Sequence, residues 1–186
     1  MADKDAGDLV WFFGYGSLMW NPGFVHDDFA PARLDGWCRA LCIYSTHYRG
    51  TAARPGLVLG LKPGGSCVGR AIGVTREREP EVLAYLDARE LLDTYVYDRV
   101  RLPVTLLDRR AEAEAWCYVA KPDHAQYAGH LGGEDVLRCV REGHGLAGAC
   151  ADYVRNTVMH LRAMSILEPE LEAIVAELDA ADRDDA

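Results

Sequence analysis

From residue 79 the chain reads Glu79-Pro80-Glu81-Val82-Leu83-Ala84-Tyr85-Leu86-Asp87-Ala88-Arg89-Glu90, and here the spacing of its apolar residues changes. Val82, Leu83, Leu86 and Glu90 recur at three- and four-residue steps, which puts them on one face of a helix. The proline and carboxylates of its first turn favour a start at that point. Before it the period is two, as in Leu57, Leu59 and Leu61. Strands are expected over 9–15, 33–44, 57–61 and 66–74, with turns at Asn21-Pro22-Gly23, Pro55-Gly56 and Pro63-Gly64-Gly65. After it, Val100, Leu102, Val104 and Leu106 alternate with polar neighbours, and Trp116-Cys117-Tyr118-Val119 supplies a hairpin partner. Helices are expected near 132–142, 149–164 and 169–178. The order, strands and then helices, is that of an α+β protein, and 186 residues suit one domain over 1–186 with flexible ends at 1–8 and 180–186.

Composition narrows the function classes. Apolar residues at 49% and charged residues at 26% describe a folded, soluble chain, and no run approaches the ~20 apolar residues of a membrane helix. A polar, acidic start argues against a secretory signal, so a cytoplasmic location is expected. There the six cysteines stay reduced, and without a Cys-x-x-Cys pair they read mostly as small core residues. A net charge of −9 makes nucleic acid an unfavourable partner, and an anionic ligand would need a local cluster of cations or backbone N–H groups. The six histidines lack metal-ligand spacing, so neither a metal nor another cofactor is expected. No local signature supports a Cys–His nucleophilic pair.

Two features carry chemistry. Phe13-Gly14-Tyr15-Gly16-Ser17-Leu18 sets two glycines and a serine directly after an apolar strand. There a tight turn can aim successive N–H groups at a carboxylate or oxyanion, or can simply end the strand. Met19 stands where a dinucleotide fingerprint needs its third glycine, and the Tyr15 and Met19 flanks of Ser17 rule out a Gly-x-Ser-x-Gly elbow. The second feature is Glu90. A carboxylate sharing a stripe with Val82, Leu83 and Leu86 loses solvation, which favours its neutral form and suits a group that accepts and returns a proton. The competing reading is a surface ion pair with Arg89 or another arginine.

With these in place the chain resembles the ChaC-like γ-glutamylcyclotransferases of the glutathione-specific type, from about Trp11 to Leu178. The likeness lies in Phe13-Gly14-Tyr15-Gly16-Ser17-Leu18-Met19-Trp20-Asn21-Pro22, in Tyr48-Arg49-Gly50-Thr51 with Pro55-Gly56 and Leu59-Gly60-Leu61, in Ala84 to Glu90, and in Tyr153-Val154-Arg155-Asn156-Thr157 with Leu161. The resemblance implies a small closed or partly open mixed β-barrel with surrounding helices. It also implies cleavage of glutathione to 5-oxoproline and Cys-Gly, with Glu90 as general acid/base and the loop at Gly14, Tyr15, Gly16, Ser17 and Leu18 holding the γ-glutamyl end. Arg49 and Arg89 are the arginines nearest these motifs and the expected source of local positive charge, Arg49 as a substrate-binding residue. One departure is Leu91-Leu92-Asp93-Thr94-Tyr95, where the family commonly has a glycine shortly before the tyrosine; the carboxylate of Asp93 bears on substrate identity. The alternatives are a cyclotransferase for other γ-glutamyl amino acids or amines, and a non-catalytic regulatory binding protein related to cation transport.

Overall fold

A computed structural model describes residues 9–90 and 96–184. In chain order they form β1 (Leu9–Gly14), a 3₁₀ turn (Ser17–Met19), β2 (Asp28–Ser45), β3 (Gly56–Thr75), a second 3₁₀ turn (Arg76–Arg78) and α1 (Glu79–Glu90). There follow β4 (Tyr97–Leu106), β5 (Ala111–Ala120), α2 (Gly133–Glu142), the short pair β6 (His144–Gly145) and β7 (Gly148–Ala149), α3 (Cys150–Ala163) and α4 (Pro169–Asp184). The first five strands close a barrel in the order β1-β3-β2-β4-β5. It is mixed, because β1 pairs antiparallel with β3 from Leu9↔Thr75 to Gly14↔Arg70 and parallel with β5 at Trp11↔Ala115. The α+β class, the barrel and the β4–β5 hairpin agree with expectation, the hairpin running in unbroken register from Tyr97↔Ala120 to Leu106↔Ala111.

Several boundaries differ from the sequence reading, among them the start of β2, which lies at Asp28 where a strand was expected from residue 33. Pro63-Gly64-Gly65, read as a turn between two strands, lies inside the single strand β3. Gly64 and Gly65 take φ of +107° and +67°, so the pair bends the strand without ending it, a distortion that residues without a Cβ allow at little steric cost. The last helix continues past 178 to Asp184.

The residues group into two compact units, Met1–Arg39 with Leu61–Lys121, and Ala40–Gly60 with Pro122–Ala186. In the first, Leu9, Trp11 and Phe13 project into the barrel core beside Ala30, Ala32, Leu34, Val104, Leu106 and Cys117. The intervening Val10 and Phe12 are also buried, so β1 is covered on both sides. Phe12 meets the Phe24 ring at 5.9 Å and Phe24 meets Tyr85 at 6.0 Å, which ties β1 to α1 through three aromatic rings.

Polar contacts hold α1 from both ends. Trp116 Nε1 donates to Glu79 Oε1 at 2.8 Å, and Tyr118 Oη donates to Asp87 Oδ1 at 2.7 Å, while Asp87 Oδ2 pairs with Arg99. The helix face that ends in Glu90 is thus set by β4 and β5. Tyr118→Phe removes a donor to a charged acceptor and is expected to cost about 1–2 kcal/mol, read from urea denaturation. A midpoint equal to wild type would mean that the Tyr118 hydroxyl does not anchor α1.

In the second unit the matched motifs answer to packing. A Cβ on Gly56 would lie 2.0 Å from the Arg49 carbonyl oxygen, and one on Gly50 would lie 2.1 Å from Gly56 N, so this turn admits only glycine at both places. The Cys150 thiol donates to Leu57 O at 3.1 Å, and Tyr153 Oη accepts from Leu59 N at 3.2 Å. Arg155 joins α3 to α4 through Asp179 at 3.0 Å and Asp182 at 2.6 Å.

Candidate functional site

The loop after β1 is built from its carbonyl oxygens inward. The 3₁₀ turn uses two of them, with Met19 N donating to Gly16 O at 2.9 Å and Asn21 N to Ser17 O at 2.8 Å. Arginines from three different elements take four more. Arg39 on β2 donates through Nε to Tyr15 O, Arg70 on β3 through Nη1 to Met19 O at 2.7 Å, and Arg89 on α1 through Nη1 to Asn21 O at 3.0 Å and Pro22 O at 3.3 Å. The carbonyls of residues 15, 16, 17, 19, 21 and 22 thus all accept from within the chain, and Met19, Trp20 and Asn21 spend their N–H groups on the turn itself. Gly14 closes β1, Met19 is fully buried beneath the loop, and Tyr15, Gly16 and Leu18 are half-buried. Ser17 is exposed.

Glu90 ends α1 on the same face as the buried Val82 and Leu86, as the helical spacing requires. Its side chain keeps 22% exposure, and Oε1 lies 3.2 Å from Arg89 Nε. Both sequence readings of this residue therefore hold together: it is on the inner stripe and it is paired. Burial raises the carboxyl's pKa above its ordinary value, against the smaller opposing pull of the Arg89 charge. Arg89 also donates through Nη2 to Ser17 Oγ at 2.6 Å, so one guanidinium joins the loop to the carboxylate.

Positive charge at the loop thus comes from Arg39, Arg70 and Arg89, and the sequence reading singled out only the last. Arg39 is 4% exposed. The signal that marks it is a lone cation within Cys38-Arg39-Ala40-Leu41-Cys42-Ile43, since a charge in an apolar run is rarely kept without a polar duty. Arg49 is in the second unit, where its guanidinium donates to the carbonyls of Ala147 and Ala149 and lies 5.4 Å from the Tyr153 ring centre. Asp93 and the rest of 91–95 lie outside the described residues.

The family model described as ChaC-like protein matches residues 10–181, nearly the whole chain and every element above except the first residue of β1 and the last three of α4. The chain belongs to the ChaC-like family. Among curated relatives, the glutathione-specific γ-glutamylcyclotransferase of Escherichia coli K12 is 31% identical over 169 residues, covering 91% of this chain and 72% of its own length. The human glutathione-specific γ-glutamylcyclotransferase 1 is 31% identical over 180 residues, covering 92% and 80%. The ChaC-like chain also shares its fold with a crystal structure of a yeast γ-glutamyl cyclotransferase specific to glutathione. The TM-score is 0.81 at 20% identity, over 93% of this chain and 96% of that one.

Proposed function

We propose that this ChaC-like chain is a glutathione-specific γ-glutamylcyclotransferase in which Glu90 is the general acid/base and the loop at Gly14, Tyr15, Gly16, Ser17 and Leu18 holds the γ-glutamyl group. The observation that carries the assignment to Glu90 is a half-buried carboxyl of raised proton affinity, joined through Arg89 to a loop whose carbonyls are already occupied. The relatives named for glutathione supply the substrate.

The reaction needs no water and no redox partner. Glu90 takes a proton from the substrate's α-ammonium; the freed amine attacks the γ-carbonyl carbon, forming the lactam C–N bond. The amide C–N bond to cysteine then breaks as Glu90 returns its proton to the leaving nitrogen, and the extra proton on the new lactam nitrogen passes to the departing amine, giving 5-oxoproline and Cys-Gly. A carboxyl with raised proton affinity is better matched to that return step than an ordinary surface glutamate. The loop N–H groups and the Ser17 hydroxyl hold the γ-glutamyl oxygens, fixing a flexible chain in its cyclising shape. Buried thiols at Cys42, Cys67, Cys117 and Cys150 serve as core residues, with burial pushing Cys117 up to about 12, a use of cysteine in keeping with a reducing cytoplasm.

The test is incubation with glutathione and, in parallel, with γ-Glu-Ala, following 5-oxoproline and Cys-Gly by mass spectrometry. Glutathione is expected to be the better substrate. Faster turnover of γ-Glu-Ala would reassign the substrate, and glutathione binding without either product would reassign the chain to a regulatory role. Arg49→Gln tests the remaining binding candidate. A KM for glutathione raised several-fold keeps Arg49 in the binding set, whereas an unchanged KM with a lower melting temperature limits it to holding the β6–β7 hairpin.

A further inference from the structure

Arg89 makes three kinds of contact that no other residue of the loop or of α1 combines. Nη2 reaches Ser17 Oγ at 2.6 Å, Nη1 reaches the carbonyls of Asn21 and Pro22, and Nε lies 3.2 Å from Glu90 Oε1. A guanidinium carries only donors, so in the first contact Ser17 Oγ is the acceptor. The Ser17 hydroxyl proton must then point away from Arg89. A cation bonded to the oxygen also polarises the O–H and makes it a stronger donor. Ser17 is exposed, so its hydroxyl is open to an acceptor from outside the chain. The hydroxyl is in effect locked as a directed donor, and the same planar group fixes where Glu90 stands relative to it.

We infer that Arg89 is a positioning residue for the proposed cyclotransferase reaction, which this inference presupposes. It converts the Ser17 hydroxyl into a donor aimed at an oxygen of the substrate's γ-glutamyl group and sets the spacing between that donor and Glu90. The requirement is for the fork and not for charge alone. A lysine would keep a cation beside Glu90, but one ammonium has no rigid fork with which to reach Ser17, the two carbonyls and Glu90 together.

The experiment is a double-mutant cycle of wild type, Ser17→Ala, Arg89→Lys and the double variant. It measures kcat and KM for glutathione by 5-oxoproline release, with thermal melts alongside. Loss of one directed donor is expected to lower kcat/KM by about 10²-fold in each single variant, mostly in kcat, because the donor acts as the γ-carbonyl gains negative charge. Since Arg89 acts through Ser17, the double variant is expected within about threefold of the weaker single, whereas independent residues would multiply to about 10⁴-fold. A double variant showing the full product, or Arg89→Lys with wild-type kcat/KM, overturns the inference.

If Arg89→Lys melts far below wild type, Ser17→Thr against Ser17→Ala carries the test. A threonine that keeps activity where alanine loses it supports the directed hydroxyl, and equal activities overturn it. A wild-type protein that yields no 5-oxoproline removes the proposed function itself, a result separate from an active wild type with an additive cycle.

Discussion

Glu90→Gln is expected to lower 5-oxoproline formation from glutathione by about 10²–10⁴-fold, the usual worth of a positioned general acid/base, while glutathione binding stays within a few-fold of wild type. The amide matches the carboxylate in shape, and the contacts of Arg89 to Ser17, Asn21 and Pro22 do not involve Glu90, so they are expected to be retained. What is lost is a group able to take a proton from the α-ammonium and give it to the leaving amine. Single-turnover assays with calorimetric binding separate the two quantities. A variant that keeps more than a tenth of wild-type turnover would show that Glu90 is not the proton carrier.

The same substitution has a consequence for stability whose sign follows from burial. Glu90's folded pKa is raised above its ordinary value of 4.5, so folding disfavours the ionised form. Its contribution to stability is greatest below that ordinary value and is lost as pH rises through the folded pKa. Glutamine carries no such penalty, so the melting temperature of Glu90→Gln relative to wild type is expected to rise between pH 4 and pH 8. A relative melting temperature that falls over this interval would mean that the Arg89 pair, and not burial, dominates the carboxyl.

The second large effect is on the support of the loop. A Cβ on Gly69 would lie 2.3 Å from Gly14 O and 2.9 Å from Phe13 Cζ. The first neighbour is main chain at the end of β1, opposite β3, and cannot swing aside as a side chain would. Gly69→Ala therefore forces β1 and β3 apart at the point where the loop begins, and is expected to cost about 3 kcal/mol in chemical denaturation. Because Gly14 leads directly into Tyr15, Gly16 and Ser17, turnover is expected to fall further than the lost stability explains when assayed well below the melting temperature. A loss under about 0.5 kcal/mol, the range of ordinary surface changes, would mean that the strands accommodate the methyl group.

Much of the site was legible because it rests on local periodicity. The three- and four-residue spacing of Val82, Leu83, Leu86 and Glu90 put the carboxylate on the inner stripe, and the apolar run ending in Gly14-Tyr15-Gly16-Ser17 put a polar turn at the end of a strand. The β4–β5 hairpin followed from period-two alternation for the same reason: each signal is carried by neighbours within one element. Pro63-Gly64-Gly65 misled because the residues that make a turn also make a bend inside a strand, and only the partner strands decide which.

The sequence by itself determined the α+β class and singled out the two segments proposed to carry the chemistry, since these depend on side chains a few residues apart. Only the tertiary structure decided which cations serve the loop. Arg39, Arg70 and Arg89 come from β2, β3 and α1, and their common target, the carbonyls of Tyr15, Met19, Asn21 and Pro22, exists only once those elements are packed. Arg49 is near the matched motifs in sequence, yet its guanidinium is engaged by Ala147 and Ala149, about a hundred residues away along the chain. A guanidinium finds its acceptors through the fold, because main-chain carbonyls are present at every residue and nothing in the local sequence marks which of them will be left to accept.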